Sequence, residues 1–291
     1  MAVQDFTRLV RFIPKAAPSK ILIGEPVSPT VDVGGALFKK DDVYAHVWSG
    51  NSVLAPGVKT EHKELVDRVL SPLARDEVGT IRCIGLNVSL TRADLIIPTI
   101  RERATKPSDS LADPWPAPTV LPRVTQADDT GDYESELAIV IGKTCKNVSK
   151  EEAMDYVLGY TAANDVSSRG CQFAQSQWCY SKGFDGSCPI GPALVSKSLI
   201  PDPSKLHIRG LKNADVMQDC GIDDLIFSVP ELVSFLSQGT TLRAGTVIIT
   251  GTPAGVGAGK SPKVTLKKGD TFSVEILPHI GTLINQFENE A

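Results

Sequence analysis

Short apolar runs and apolar–polar alternation, broken by Gly and Pro at close intervals, predict strands joined by turns over much of the chain. Thr7–Ile13 and Ile21–Ile23 read as strands, with turns at Gly24–Pro26, Gly34–Gly35 and Pro56–Gly57. His62–Leu70 is amphipathic and reads as a helix, and Ser71–Pro72 begins a connector. Residues 1–72 therefore predict a small β-rich amino-terminal domain, with a larger domain over 73–291. Ile81–Leu86 is a compact apolar strand candidate. The prolines that follow, at 98, 107, 114, 116, 118 and 122, exclude a long helix and predict an irregular surface segment.

Tyr133–Ile141 carries the clearest strand pattern and ends at Gly142. Ser149 with Glu152 three residues later forms a capping box, which predicts a helix to about Gly159, followed by a strand over Tyr160–Val166. Val229–Ser237 reads as a helix capped by Ser228. Thr246–Thr250 is a short β-branched strand that leads into the turn-rich loop Gly251–Gly257.

Composition narrows the function classes. Hydrophobic residues make up 42% of 291 and charged residues 22%, enough apolar material for a packed core. A net charge of -4 without a Lys/Arg cluster gives no electrostatic reason to expect nucleic acid or an anionic membrane. No stretch approaches the roughly 20 apolar residues that cross a bilayer, and the amino terminus has no signal-like apolar run. The six cysteines (83, 145, 171, 179, 188 and 220) form no Cys-x-x-Cys pair and read as reduced thiols of a cytoplasmic protein.

Glu134 and Glu136 lie two apart on a predicted strand, so their carboxylates share a face with Ala138 and Val140, while Leu137, Ile139 and Ile141 take the other face. Two like charges on one face repel unless a cation sits between them. Asp165 ends the next predicted strand, and a β-helix-β unit would bring it beside them. Three carboxylates without His or Cys are hard oxygen ligands, suited to Mg²⁺, Mn²⁺ or Ca²⁺ rather than Zn²⁺. Taken alone, the pattern is more simply that of the solvent-facing side of an edge strand.

Five segments carry a resemblance: IRCIGLN (81–87), DYESELAIVIGK (132–143), DYVLGYTAANDVSSR (155–169), KGFDGSCPIGP (182–192) and TGTPAGVG (250–257). In this order, and with IFSVPELVSFLSQGTTL (226–242), they resemble the fumarylacetoacetate hydrolase family over roughly the last 210 residues. The resemblance implies a mixed α/β, mainly β fold, the family's mixed β-roll, preceded by a small β-rich domain. It implies a homodimer and a small keto-acid or β-dicarbonyl substrate. Glu134, Glu136 and Asp165 fall on the family's metal ligands, and Lys182 on its lysine near metal and substrate. Arg169 and Gln172 fall where relatives contact substrate. Thr252 falls where the substrate carboxylate is held, and Asp185 at a supporting position. A Gly-rich turn beside Thr252 offers backbone N–H groups to an anion.

The chain departs from the family after IGLN. Hydrolytic members carry a pattern close to N-Y-x-x-H-x-x-E, whose His and Glu activate water. Here Val88 replaces the tyrosine, Thr91 the histidine and Asp94 the glutamate. A threonine hydroxyl has no suitable pKa for a general base near neutral pH. His46, His62, His207 and His279 are not obvious substitutes. Decarboxylation and keto–enol isomerisation share the metal-stabilised enolate with C–C hydrolysis but need no activated water. The departure thus favours an enolate-type lyase or isomerase, with Lys182 or Asp94 moving protons. A hydrolase using Asp94 or Lys182, and an inactive binding homologue, are the alternatives.

Overall fold

A computed structural model of the chain describes residues 5–85, 87–88, 102–127 and 129–291. The architecture is mixed and mainly β, with short helices between strands. Among the described residues an eleven-stranded sheet forms the centre. Arg8–Pro14, Cys188–Ser196, Val157–Asn164, Ser135–Ile141, Val247–Ile249, Ile81–Gly85 and Glu102–Lys106 lie side by side in that order. A five-stranded sheet contains Asp215–Gly221, His207–Lys212, Thr271–Leu277, Gly281–Asn289 and Pro118–Leu121.

Every residue of Ser135–Ile141 is buried. Leu137, Ile139 and Ile141 pack with Phe272, Val274 and Leu283 of the five-stranded sheet, while Ala138 and Val140 pack with Ile81, Leu194 and Ile249. Burying a side chain of the Leu or Ile kind contributes about 1.5–3 kcal/mol. The strand that leads out of the first glutamates is thereby fixed from both faces.

Residues 59–70 form a strand, not the helix that the 62–70 pattern suggests. It pairs with Arg8–Pro14 and Tyr44–Trp48. The register shifts between Ile13, opposite Arg68, and Pro14, opposite Val66. Such a bulge changes the parity of the side chains. Val66 and Val69, three apart, consequently reach one apolar cluster with Val10, Phe12 and Val33, and this mimics helical spacing. The cluster also takes in Ala193, and the amino-terminal strands join the central sheet where Arg8 pairs with Val195 and Leu9 with Leu194.

The Ser149–Glu152 box forms, with Ser149 Oγ donating to Glu152 Oε2 at 2.9 Å. It opens only a 3₁₀ turn over Ala153–Tyr156, because strand Val157–Asn164 begins at once. β-branched and aromatic residues (Val157, Tyr160, Thr161) pair along Ser135–Ile141, and that tertiary pairing overrides the local helix start. Helix Val229–Ser237 forms as its periodicity predicts. No helix among the described residues is long and apolar enough to cross a membrane.

Candidate active site

Ser135–Ile141 and Val157–Asn164 run antiparallel with Ser135 opposite Asn164. The next pair outward is Glu134 and Asp165, and the Asp165 N–H donates to the Glu134 carbonyl at 2.9 Å. The expected β-helix-β crossover is therefore replaced by direct antiparallel pairing, which brings the same two residues together by a shorter route. Glu136 follows on the same face as Glu134. All three carboxylates are buried, and one oxygen from each lies within 4.8 Å of the others. The strand is interior to the sheet, flanked by Val157–Asn164 and Val247–Ile249, so its polar face is not the wet side of an edge.

Like charges this close require cations. Lys182 ends helix Cys179–Lys182 and is buried; its Nζ donates to Asp165 Oδ2 at 2.6 Å, Glu134 Oε2 at 2.9 Å and Ser167 Oγ at 2.9 Å. Arg169 opens helix Arg169–Phe173, capped by Ser168. Its Nη1 lies 2.6 Å from Glu134 Oε1 and donates to Gln172 Oε1 at 2.8 Å, while Nε donates to Asp132 Oδ2 at 2.8 Å. Asp132 also accepts from the Gly257 and Ala258 amides at 2.8 and 2.9 Å, tying the arginine to the loop after Gly251.

Lys106, fully buried, is a site residue that the sequence pattern did not reveal. Its Nζ stands 2.8 Å from Asp165 Oδ1 and donates to Ser187 O at 2.7 Å, Ser187 Oγ at 3.0 Å and Val166 O at 3.2 Å. A lone lysine in a proline-rich stretch carries no periodic signal, and only the tertiary pairing brings it here. Asp132 had such a signal, since it precedes Glu134 by the same two-residue step that separates Glu134 from Glu136.

The cluster holds four carboxylates (Asp132, Glu134, Glu136, Asp165) against three cations (Lys106, Arg169, Lys182). Burial raises the pKa of Asp165, but Lys106 and Lys182 outweigh it and hold the carboxyl below its ordinary value. Burial opposes charge on Lys182 and Arg169, yet Asp165 and Glu134 on the first, and Glu134 and Asp132 on the second, keep both cationic well above their usual range. The surplus negative charge emerges at Glu136. Burial, then Asp165 and Glu134, push its carboxyl well above the usual range, against the charge of Lys182 and a hydrogen bond from the Gly251 amide at 2.7 Å. An all-oxygen donor set with unneutralised charge fits a hard divalent cation.

Glu134, Glu136, Asp165, Arg169 and Lys182 face a cavity of about 310 Å³ whose lining also includes Cys83, Gln172, Phe173, Trp178, Thr252 and Ala258. Thr252 Oγ1 accepts from Gln218 Nε2 at 2.7 Å, which leaves its O–H free to donate. Gln218 is in turn held by the Ser135 amide at 3.0 Å. The structure thus gathers Glu134, Glu136, Asp165, Arg169, Gln172, Lys182 and Thr252 around one space. Asp185 is not among them: it is exposed and borders a separate groove with Phe184 and Arg123. Asp94 and Thr91 lie outside the described residues. None of the chain's four histidines lines the cavity.

Strands wrapped around a buried carboxylate triad with a lysine and an arginine form an enzyme-like site whose three carboxylates could hold a metal ion. Residues 81–288 match the family described as fumarylacetoacetate (FAA) hydrolase, C-terminal, and the chain belongs to that family. It is 40% identical to caffeoylpyruvate hydrolase of Neonothopanus nambi over 291 aligned residues, covering 98% of this chain and 94% of that one. It is 48% identical to oxaloacetate tautomerase YisK of Bacillus subtilis over 155 residues, 53% of this chain and 51% of that one. Among solved structures, the 2-hydroxyhepta-2,4-diene-1,7-dioate isomerase of Mycobacterium marinum superposes with a TM-score of 0.79 at 29% identity, covering 98% of this chain and 100% of that one. These relatives are enzymes, one a hydrolase and two tautomerase or isomerase.

Proposed function

We propose that this chain is a divalent-metal-dependent enzyme that forms the enolate of a small 2-keto acid or β-dicarbonyl, with tautomerisation or decarboxylation as the outcome. One observation carries the reading: three buried carboxylates meet a lysine and an arginine in a cavity that no histidine lines. Glu134, Glu136 and Asp165 would hold Mg²⁺ or Mn²⁺, with Ca²⁺ as a further hard ion of the right ligand class. A divalent ion at that position supplies charge neutralisation for an oxygen that becomes an enolate.

The remaining roles belong to the chain. Lys182, kept protonated by Asp165 and Glu134, acts as a fixed donor and positive charge toward a substrate oxygen rather than as a base. Arg169 and the Thr252 hydroxyl receive the substrate carboxylate, and Gln172 holds the arginine in place. Asp94 is the proposed proton acceptor at the substrate carbon. Thr91, in the position of the hydrolytic histidine, cannot activate water.

A second reading, C–C hydrolysis of an acylpyruvate, is favoured by the full-length match to caffeoylpyruvate hydrolase; the first is favoured by the match to an oxaloacetate tautomerase. A proton NMR time course in D₂O separates them. The protein is given Mg²⁺ or Mn²⁺ with oxaloacetate and a set of acylpyruvates, and Glu134→Ala serves as control. Metal-dependent proton exchange or CO₂ loss without cleavage supports the enolate-only reading. Release of pyruvate and a carboxylic acid, abolished by Glu134→Ala, establishes the hydrolase.

A further inference from the structure

We infer that Gln218, which stays behind the cavity lining, is a positioning residue: it aims the Thr252 hydroxyl into the cavity and ties it to the strand that carries Glu134 and Glu136. The inference rests on the proposed role of Thr252 toward a substrate carboxylate and adds the residue that makes that role possible. Gln218 lies on strand Asp215–Gly221 and is 1% exposed. Its Nε2 donates to Thr252 Oγ1 at 2.7 Å and to the Pro253 carbonyl at 2.8 Å, and its Oε1 accepts from the Ser135 amide at 3.0 Å. Two of these partners fix which way the side-chain amide faces. The Pro253 carbonyl can only accept and the Ser135 N–H can only donate, so a flipped amide would set oxygen against oxygen and N–H against N–H. With Nε2 held on its side, Thr252 Oγ1 can only accept from Gln218. The threonine proton must point elsewhere, and Thr252 lines the cavity. A threonine without such a donor is free to turn its proton onto a nearby backbone carbonyl.

The seat for Gln218 is built by its neighbours. Gln218 pairs across the ladder with Gly210. A Cβ at Gly210 would meet Ser135 Oγ and, at 2.8 Å, Gln218 Oε1, so the missing side chain opens the path by which Gln218 reaches strand Ser135–Ile141. A Cβ at Gly255 would meet the Met217 carbonyl and, at 3.3 Å, Gln218 Cγ, so the loop after Gly251 lies directly on the same strand. Tyr133 Oη holds that loop at the Gly255 carbonyl, 3.1 Å away, and Asp132 holds it at the Gly257 and Ala258 amides. Of these anchors, Gln218 alone reaches the Thr252 hydroxyl. It thereby links the proposed metal-holding strand to the proposed carboxylate donor through one rigid amide. A bare metal ion, touching only the strand's carboxylates, is indifferent to that link. A ligand that reaches both the metal and Thr252 depends on it.

The test is a double-mutant cycle read by binding, without turnover. Calorimetry measures Mn²⁺ affinity, then the affinity of the Mn²⁺-loaded protein for oxalate, a planar chelating dicarboxylate. Gln218→Glu keeps the shape but replaces the donor by an acceptor, which draws the Thr252 proton out of the cavity. Gln218→Met removes the donor without adding charge and lets the hydroxyl rotate. Oxalate affinity is expected to fall about tenfold in Gln218→Glu, about threefold in Gln218→Met and about tenfold in Thr252→Val, with Mn²⁺ affinity within about twofold of wild type in all three. In the Thr252→Val background neither change at 218 should weaken oxalate by more than about twofold, because the group they act through is gone. Wild-type oxalate affinity in both 218 variants overturns the inference. So do losses that multiply in the double variants, which would assign the effect to added charge or to general loosening. If Gln218→Glu does not fold, Gln218→Met and its double variant decide alone. A wild-type protein that binds Mn²⁺ but not oxalate, or a Thr252→Val variant that binds oxalate normally, overturns the proposed role of Thr252 itself, before any change at 218 is made.

Discussion

Lys106 Nζ lies 2.8 Å from Asp165 Oδ1, and Lys182 Nζ lies 2.6 Å from Asp165 Oδ2, so each oxygen of one buried carboxylate has its own ammonium. The two lysines differ in what else they touch. Lys182 reaches a second triad member, Glu134, and lines the cavity. Lys106 is closed off from it and binds the Val166 and Ser187 carbonyls instead. The first is placed to meet a ligand, and the second is placed to hold Asp165 still.

Lys106→Met should therefore act on the scaffold. Removing one member of a buried ion pair leaves the partner charge and two carbonyls uncompensated, and the expected loss is about 3 kcal/mol. Urea unfolding of the metal-free protein reads it directly. A midpoint equal to wild type would show that Lys182 alone suffices to neutralise Asp165.

Glu136→Gln should separate folding from metal binding. Burial and the neighbouring Asp165 and Glu134 favour the neutral form of Glu136, and glutamine is close to that form in shape. The metal-free variant should be as stable as wild type or slightly more so, because glutamine requires neither a buried charge nor the uptake of a proton on folding. Mn²⁺ affinity, followed by the EPR signal of the free ion, should fall at least tenfold, since an amide oxygen is a poorer ligand than a carboxylate. Glu136→Gln binding Mn²⁺ like wild type would remove Glu136 from the ligand set.

A pH effect is expected far from the site. Glu231 Oε2 accepts from the Ser228 hydroxyl at 2.7 Å and the Ser228 amide at 2.8 Å, and Glu231 Oε1 accepts from Lys150 at 2.9 Å. The Ser228 hydroxyl, then Lys150, hold its carboxyl down at about 2. A depressed carboxylate stabilises the fold above its unfolded value, near 4.3, and loses that contribution as pH falls through its folded value. Glu231→Gln should cost about 1 kcal/mol at pH 7, as for a lost helix cap, with the Lys150 pair adding little because it is solvent-screened. The difference in Tm between variant and wild type should narrow steadily from pH 5 toward pH 2. A constant difference would assign the cost to packing.

What could be read from the sequence divides by the range of the interactions. Helix Val229–Ser237 was legible because its start signal, Ser228 with Glu231, and its apolar spacing are both local. Glu134 and Glu136 were legible as a pair for the same reason, since strand alternation needs no partner to be seen. Asp165 lies beside the two glutamates as expected, but by a different connection, because a capping box at Ser149 and Glu152 looks the same before one 3₁₀ turn as before a full helix. The stretch 62–70 misled because a bulge opposite Ile13 and Pro14 gives a strand helical spacing. Arg169 and Gln172 share one short helix while Lys182 and Thr252 lie on other segments, so the four have no common period; resemblance pointed to them and periodicity did not. Lys106 had no periodic signal, although it falls in Thr105–Pro107, a short stretch that resembles the family, and its contacts exist only once Glu102–Lys106 pairs with Ile81–Gly85.

Gly251 links the loop to the triad, and its replacement should affect stability and metal binding together. Its φ is +102°, a region that L side chains rarely adopt, and a Cβ there would meet the Asn87 Cβ at 3.0 Å and the Ile84 carbonyl at 3.2 Å. Its amide donates to Glu136 Oε2 at 2.7 Å, so any shift that relieves the crowding moves an oxygen of this proposed metal ligand. Gly239 provides the control: its φ is +72°, and a Cβ added to it meets nothing within 4 Å. Gly239→Ala should cost about 1 kcal/mol from backbone handedness alone and leave Mn²⁺ affinity unchanged. Gly251→Ala should cost up to about 3 kcal/mol and lower Mn²⁺ affinity about tenfold, the scale seen when groups that orient a metal ligand are lost. Urea midpoints and Mn²⁺ titrations on the two variants decide the matter. Equal behaviour of the two would mean that the Gly251 amide follows Glu136 rather than positions it.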